Sequence, residues 1–424
     1  MAQQIPTFVA LPLASAVLAA AASCGPRPEM NAAEARAKFS SKHLSLGGEA
    51  AAQVESEPSR TEVAAATPPA TIAPRVDPEP RVAPVPAAEM PTASEPETAQ
   101  PVATATTTTT SDPAVGLEMR DGLGMRDESL RILRLAATSD WPALRAHALE
   151  AAIRNPPLLR SFAASALRDE NRGVRFVACM SIAEARLTGF TEQLTPLLVD
   201  ESASVRAACM LALARSGERV NLTPLATMVL DNDPEVRANA YLVLGELGNQ
   251  SAVPMIRESI GRGMKLVNPL RVRLVDLAAA EALVKLGDEF EIEPIRAALF
   301  APPEQGELTV VACDSVRRLG DEVARPMLER IISSGGESMR GPEIRLAAAR
   351  ALARLGGGKA PLRIAGEYVS HPDARIRAQA AALCADLGAG PTGSAEALEL
   401  LAGLIRDENP SVQIAAAGGI GAAE

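Results

Sequence analysis

Residues that bind metals or transfer protons are few in this sequence and lie far apart. The chain has three histidines, His43, His147 and His371, and no His-Glu dipeptide, so the usual ligand spacings of a metal centre are missing. The stretch GGGK at residues 356–359 lacks the G-x-x-x-x-G-K-[ST] spacing of a phosphate-binding loop. We therefore expect no catalytic residues, no metal and no cofactor, and a protein that is not an enzyme.

Four of the five cysteines fall on one predicted helix face. They are Cys179, Cys209, Cys313 and Cys384. Neighbouring helix axes lie about 8–10 Å apart, whereas a disulfide needs Cα atoms within about 7 Å of each other. We expect buried free thiols that pack as small hydrophobic residues.

Charge and composition narrow the class of protein. Lys and Arg number 42 and Asp and Glu 52, which gives a net charge of −10. A surface that follows phosphates would be basic, so we expect no nucleic-acid partner. Aromatic residues make up 2% of a chain that is 47% hydrophobic, so the core must be built from Leu, Val, Ile and Ala, as in stacked helices.

A pattern that recurs every 30–39 residues organises the chain from about residue 126 onward. Each copy is aligned on one position, here called the anchor, which is Arg in six of nine copies. The anchors are Arg145, Arg175, Arg206, Arg237, Asp276, Thr309, Arg345, Arg377 and Gln413. We interpret Arg237 as one member of a ladder with acidic groups such as Asp231 or Asp233.

Positions at fixed distances after the anchor predict one helix per copy. The third residue is small in all nine copies: Ala148, Ala178, Cys209, Ala240, Ala279, Ala312, Ala348, Ala380 and Ala416. The seventh is a larger apolar residue and the eleventh is Gly in six copies each. At about 100° per residue these positions share one helix face, where small residues admit a neighbouring helix and the Gly ends the helix.

A second helix precedes each anchor, with Pro224, Pro254, Pro294 and Pro361 near its first turn. The pattern D-x-x-x-x-V-R-x-x-A-x-x-A-L-x-x-L-G resembles HEAT-like repeats, especially the short type first noted in phycobilisome lyase proteins. The resemblance implies an all-α fold: an α-solenoid, or armadillo/HEAT-like superhelix, of about nine helix pairs over residues 114–424. We expect the Gly-rich end, QIAAAGGIGAAE, to fray.

The first 113 residues have a different character. Residues 1–23 form an apolar run that ends in small residues, as in a secretory signal peptide. Residues 24–113 are rich in Pro, Ala, Thr and Glu without a periodic apolar face, so we expect a disordered linker.

The stretch AASC, which ends at Cys24, resembles a bacterial lipobox. That resemblance implies that Cys24 is lipidated and that the protein is exported, as a periplasmic or outer-membrane lipoprotein. Cleavage after an Ala-x-Ala pattern is the alternative for export, and a cytoplasmic protein with a merely apolar N-terminus is the alternative to export.

The predicted partner site lies on the second helices of copies two to four. Residues two, five and nine after the anchor point away from the predicted buried face, and in the family resembled that side lines the concave surface. There we expect an apolar row edged by alternating charges to form a groove for a protein partner: Met180, Glu184, Leu211, Arg215, Leu242 and Glu246. The alternatives are that a loop or the N-terminal segment covers the row, or that the helix phase is wrong by one residue.

The sequence thus favours a non-enzymatic scaffold, tethered to or exported into the cell envelope, that binds a protein on its concave face. Two other functions stay open. One is an enzyme or enzyme accessory that modifies a partner, in the manner of a bilin lyase, although fold analogy alone does not establish function. The other is a cytosolic HEAT adaptor.

Overall fold

A computed structural model describes residues 113–264, 267–335, 339–389 and 393–421. The predicted signal peptide at 1–23, Cys24 and linker residues 24–112 lie outside the described residues. Within the described ranges the chain forms eighteen α-helices and no β-strand. None of these helices has both the length and the apolar character needed to cross a membrane.

The helices form nine consecutive pairs, each with a first and a second helix. Pairs 1–5 are α1 Pro113–Ala137 and α2 Pro142–Ala151, α3 Pro156–Ala166 and α4 Arg172–Glu184, α5 Thr191–Leu194 and α6 Ala203–Arg215, α7 Pro224–Met228 and α8 Pro234–Leu247, and α9 Val253–Ser259 and α10 Pro269–Lys285. Pairs 6–9 are α11 Ile292–Ala298 and α12 Gly306–Leu319, α13 Arg325–Ser333 and α14 Pro342–Arg354, α15 Ala360–Tyr368 and α16 Ala374–Gly388, and α17 Ala395–Leu404 and α18 Pro410–Ile420. The all-α solenoid of nine pairs is confirmed.

Local sequence signals set the ends of the second helices. The side chains of Asn171, Asp233 and Asn409 each accept a hydrogen bond from a backbone N–H in the first turn of the helix that follows. Gly248 ends α8 in the left-handed conformation, with φ of 70°, which a residue without Cβ adopts at low cost. Gly388 differs from this expectation, because it lies within α16 and packs close to Leu398.

The repeat positions are buried as the spacing predicts. All nine small residues three positions after the anchor have 0% exposure. They lie where each second helix packs on its neighbours, so the small side chains allow close approach of the backbones. One continuous hydrophobic core results, which runs through all nine pairs.

The anchor arginines tie successive pairs together. Arg145 donates to both carboxylate oxygens of Asp169 at 2.7 Å, and Arg175 does the same to Asp200 at 2.8 and 3.0 Å. Arg377 repeats this contact with Asp407. Arg237 has a structural role too, but the prediction of its partners is wrong: it donates to the backbone carbonyls of residues 230, 231 and 259 instead of an aspartate carboxylate.

The solenoid closes on itself. The second helices contact one another in series from α2 through α18, and α18 in turn packs against α1 and α2. Every second helix therefore has two second-helix neighbours, and the nine helices form a closed ring. The first helices form a second layer that packs against these second helices, and α1, α3, α11, α15 and α17 each contact two neighbouring ones.

The seam of the ring lies between pair 9 and pair 1. Across the seam, a Cβ on Gly418 would be 2.8 Å from the Cβ of Ala151 in pair 1. On the side of pair 8, a Cβ on Gly419 would be 2.6 Å from the Cβ of Ala385. At the same place Arg154 donates to the Asp386 carboxylate at 3.0 Å. The expectation that the Gly-rich end frays is wrong for residues 413–420, because the glycines are what let α18 dock.

Candidate functional site

Two surfaces could carry function, and the interior of the ring, here called the lumen, is the first. With axes 8–10 Å apart, nine helices form a circle about 26 Å across, and backbone cylinders of about 2.3 Å radius leave about 21 Å between opposite backbones. Side chains project into this space, where Arg350 influences the charge of Glu150 and Arg317 that of Glu184. Glu150 is buried and Glu184 is exposed, so the lumen is largely but not wholly filled.

The predicted groove residues lie in this lumen and do not form an exposed row. Met180 is 4% exposed, Leu211 is 0% exposed and Leu242 is half-buried. The prediction of an exposed apolar row is therefore wrong. Closure of the ring turns the predicted concave face into an interior, and the helix phase behind the prediction stays a prediction.

The charged residues of the predicted row belong to a network along the lumen. Arg215 forms an ion pair with Glu246, which also accepts from Lys285 Nζ at 2.7 Å. Lys285 contacts Glu281 at 2.8 Å, and Arg318 contacts the same carboxylate at 2.6 Å. These basic side chains stand near the C-terminal ends of the second helices, where positive charge is favourable.

A second group of ion pairs meets at Asp386 in pair 8, close to the seam. Asp386 accepts from Arg350 at 2.9 Å and from Arg154 at 3.0 Å. The arginines outweigh the effect of burial and lower the pKa of Asp386, as Arg317 and Arg318 do for Asp314. Such pairs neutralise one another, so they hold the lumen together and leave few charges for a ligand.

Glu150 differs from the paired charges of the lumen because its carboxylate has no ion-pair or hydrogen-bond partner among the described residues. Its side chain is 9% exposed, and neither carboxylate oxygen has a hydrogen-bond partner. Burial, with a contribution from the charge of Glu184, raises the pKa of Glu150 to about 8, against an opposing effect of Arg350. The carboxyl is therefore largely protonated at neutral pH. Glu184 itself has an exposed side chain, and its pKa is raised by desolvation and by Glu246.

The residues that could do chemistry are dispersed or buried. Burial lowers the pKa of His147 to about 4. Cys179, Cys209, Cys313 and Cys384 are free and buried, as predicted. Among the described residues no group of three or more His, Cys, Asp or Glu side chains is placed to hold a metal ion.

The second surface is one rim of the ring. The segments that join the first to the second helix within each pair all lie on the same rim, here called the loop edge, because the two helices of every pair run antiparallel. Nine large hydrophobic side chains of the described residues are exposed, and seven of them lie on this edge. These seven are Leu135, Trp141, Val199, Leu230, Ile260, Phe300 and Met339.

The seven residues are distributed around the ring. They come from pairs 1, 3, 4, 5, 6 and 7, and their exposed fractions run from 38% for Ile260 to 84% for Val199. The other two exposed hydrophobic residues, Phe290 and Val323, lie on the opposite edge, between pairs.

Charges of both signs accompany the apolar side chains of the loop edge. Glu170, Glu201 and Glu408 have side chains that are 88%, 83% and 91% exposed. Arg168 and Arg406, each two residues before one of these glutamates, are exposed as well. The edge is thus apolar and mixed in charge.

Helical periodicity does not predict the loop edge, because all of its exposed apolar residues except Leu135 lie outside the α-helices. The signal was nevertheless present. Val199 and Leu230 each stand directly before the aspartate that opens a polar turn, where a solvated loop needs no large apolar side chain.

Comparison with known protein families supports the repeat assignment. HEAT repeats match residues 159–234, which extend from α3 to the start of α8. HEAT repeats commonly mediate protein–protein interaction and generally serve as non-enzymatic scaffolds, and the fold of this chain is of that class. No curated protein matches the chain. The likeness to the phycobilisome-lyase type of repeat stays a prediction.

Proposed function

We propose that this protein is a non-enzymatic protein-binding scaffold and that its partner docks on the loop edge of the ring. The observation that carries the proposal is the placement of seven of nine exposed large hydrophobic side chains on that one edge. Single exposed hydrophobic residues are normal on a protein surface, whereas a set confined to one surface is typical of interaction sites.

The lumen is the weaker candidate for the partner site. Its apolar side chains are buried, and most of its charges are paired. A helix or extended peptide could enter only if the ring opened at the seam, which would break the Arg154–Asp386 contact and uncover the close packing of α18. The loop edge needs no such rearrangement.

We further propose that the N-terminal segment tethers the ring to the cell envelope through a lipid on Cys24. The apolar residues 1–23 and the AASC stretch support export and lipidation. A linker of about 90 residues could reach at most ~280 Å at the polyproline rise of ~3.1 Å per residue. Because α1 ends at the loop edge, its first residue lies about 36 Å away along the helix axis, toward the opposite edge.

The scaffold is tested by photo-crosslinking in cells. A photoreactive residue replaces Leu230, and a matched probe replaces Leu242 inside the lumen. We expect a discrete protein-protein crosslink from Leu230 that disappears when Val199→Glu and Phe300→Glu are introduced. Capture from Leu242 instead would assign the partner to the lumen, and no crosslink from either probe would contradict the scaffold.

The tether is tested separately. Mass spectrometry of the mature chain should show an N-terminal Cys24 carrying acyl groups, and Cys24→Ala should release the protein from the membrane fraction. An intact Met1 would contradict export and support the cytosolic adaptor.

A further inference from the structure

We infer that the occupant of the loop edge is a second copy of this chain, so that two rings associate edge to edge as a two-fold symmetric dimer. The inference rests on the proposed function, because it names the partner of the same surface. Three features of the edge support a second copy: the distribution of the apolar residues, the signs of the exposed charges and the size of the face.

The distribution of apolar side chains matches a partner of the same shape. A linear peptide or a single helix would contact a short sector, and exposed apolar residues would then cluster in two or three neighbouring pairs. Instead they occur in six of the nine pairs, from Trp141 in pair 1 to Met339 in pair 7. A flat, ring-shaped partner would cover all of them at once, and a second ring has that form.

The charges of the edge suit self-association. In a two-fold interface each patch meets the same patch on the other subunit, so a surface of one sign would repel itself. Here exposed Arg168 stands two residues from exposed Glu170, and exposed Arg406 two residues from exposed Glu408. Such alternation lets arginines of one ring face glutamates of the other.

The area of the edge is sufficient. A second layer of helices outside a 26 Å circle gives the ring an outer radius of about 27 Å, and hence a face of about 2300 Å² including the lumen. A stable interface buries about 800 Å² on each partner. Contact over roughly a third of the face would reach that value.

The opposite edge provides a matched control. Phe290, at 89% exposure, and Val323, at 61%, are as exposed as the loop-edge residues but lie in the 3₁₀ turns between pairs. Substitution by Glu at these positions changes hydrophobicity and charge as the loop-edge substitutions do, but on the opposite edge. Neither double substitution changes an α-helix, because all four positions lie outside the α-helices: Val199, Phe300, Phe290 and Val323.

The test is the mass of the full purified chain in solution, from sedimentation velocity and light scattering over a range of concentrations. We expect a dimer of the 44.1 kDa chain, with Val199→Glu plus Phe300→Glu weakening association at least about 100-fold, since each subunit of the two-fold dimer loses two buried hydrophobic contacts. Phe290→Glu plus Val323→Glu should leave the dimer unchanged. Circular dichroism checks that both variants remain folded.

The outcomes separate this inference from the proposed function. A monomer at all concentrations, or a dimer broken only by the opposite-edge variant, overturns the second copy as occupant. If the Leu230 probe then still captures another protein, the scaffold stands and only its partner was misassigned. A monomer with no crosslink from either the Leu230 or the Leu242 probe removes both.

Discussion

Gly418, in the last helix of the described chain, lies against Ala151, at the end of the second helix of pair 1: a Cβ on the glycine would be 2.8 Å from the alanine Cβ. Residues 267 positions apart in sequence thus form the tightest contact of the seam. The contact exists because neither side chain is larger than a methyl group, and it determines whether the nine pairs form a ring or an open superhelix.

Closure predicts a sharp difference between glycines near the C-terminus. Gly418→Ala would place a Cβ 2.8 Å from Ala151 Cβ and 3.2 Å from Ala151 Cα, across the seam, and we expect it to destabilise the protein by about 1–3 kcal/mol. Gly403→Ala, in α17 with nothing within 4 Å, should instead stabilise it by up to about 1 kcal/mol. Urea unfolding followed by circular dichroism measures both. Equal effects of the two substitutions would mean that the seam is not packed.

The anchor arginines should contribute far more than surface arginines. Arg175→Ala leaves the buried Asp200 carboxylate, 6% exposed, without its two-point partner, and we expect a loss of about 3–5 kcal/mol. The loss for Arg175→Lys should lie between that of Arg175→Ala and zero, because one ammonium group cannot reproduce the two-point contact of the guanidinium. The control is Arg172→Ala, whose side chain is 55% exposed and pairs with Glu235 at 3.4 Å; it should cost less than about 1 kcal/mol.

Glu150 should make stability fall as pH rises. Its pKa of about 8 in the folded chain exceeds the ordinary value of 4.5, so the folded state holds a proton that the unfolded state loses between these two pH values. The free energy of unfolding falls by as much as about 5 kcal/mol across that window, and this contribution of Glu150 is gone above pH 8. The difference in unfolding free energy between Glu150→Gln and wild type should thus be small at pH 4.5 and largest at pH 9. A pH-independent difference would contradict the unpaired, buried carboxyl.

The buried thiols should be unreactive in the folded protein. The contact with Cys209, followed by burial, raises the pKa of Cys179, and burial raises the pKa of Cys384 to about 12. In a Cys24→Ser background, we expect a thiol reagent at pH 8 to modify the folded chain at least about 10³-fold more slowly than the urea-unfolded chain, because thiolate and access both require an opening of about 4 kcal/mol or more. Rapid labelling of one cysteine would locate a part of the ring that opens easily.

The sequence predicts the features that are local to one repeat. The small residue after each anchor is at 0% exposure in all nine pairs, because helix periodicity alone determines which residues face a neighbour. The same reasoning assigns Met180 and Leu211 to the concave side, and both are buried in the closed ring. It also explains the four buried thiols, which share that periodicity.

Closure is not local, and the sequence pattern does not reveal it. Nine pairs close a circle only if each turns by about 40° relative to the last, and a change of a few degrees per pair, summed nine times, opens a gap or offsets the ends. No residue type reports an angle that finely. The Gly-Gly step at 418–419 was the visible trace of closure, but a pair of glycines near a chain end also predicts fraying.

A closed ring also fixes the number of repeats. An open solenoid can gain or lose a pair by duplication or deletion, since the change only alters its length and leaves both ends as they were. Here a tenth pair would have to be inserted into a completed circle, and loss of one would separate Arg154 from Asp386. Recombination between the repeats, the usual route by which such arrays change length, would therefore also require a new turn at every pair, because ten pairs close a circle at about 36° each and nine at about 40°.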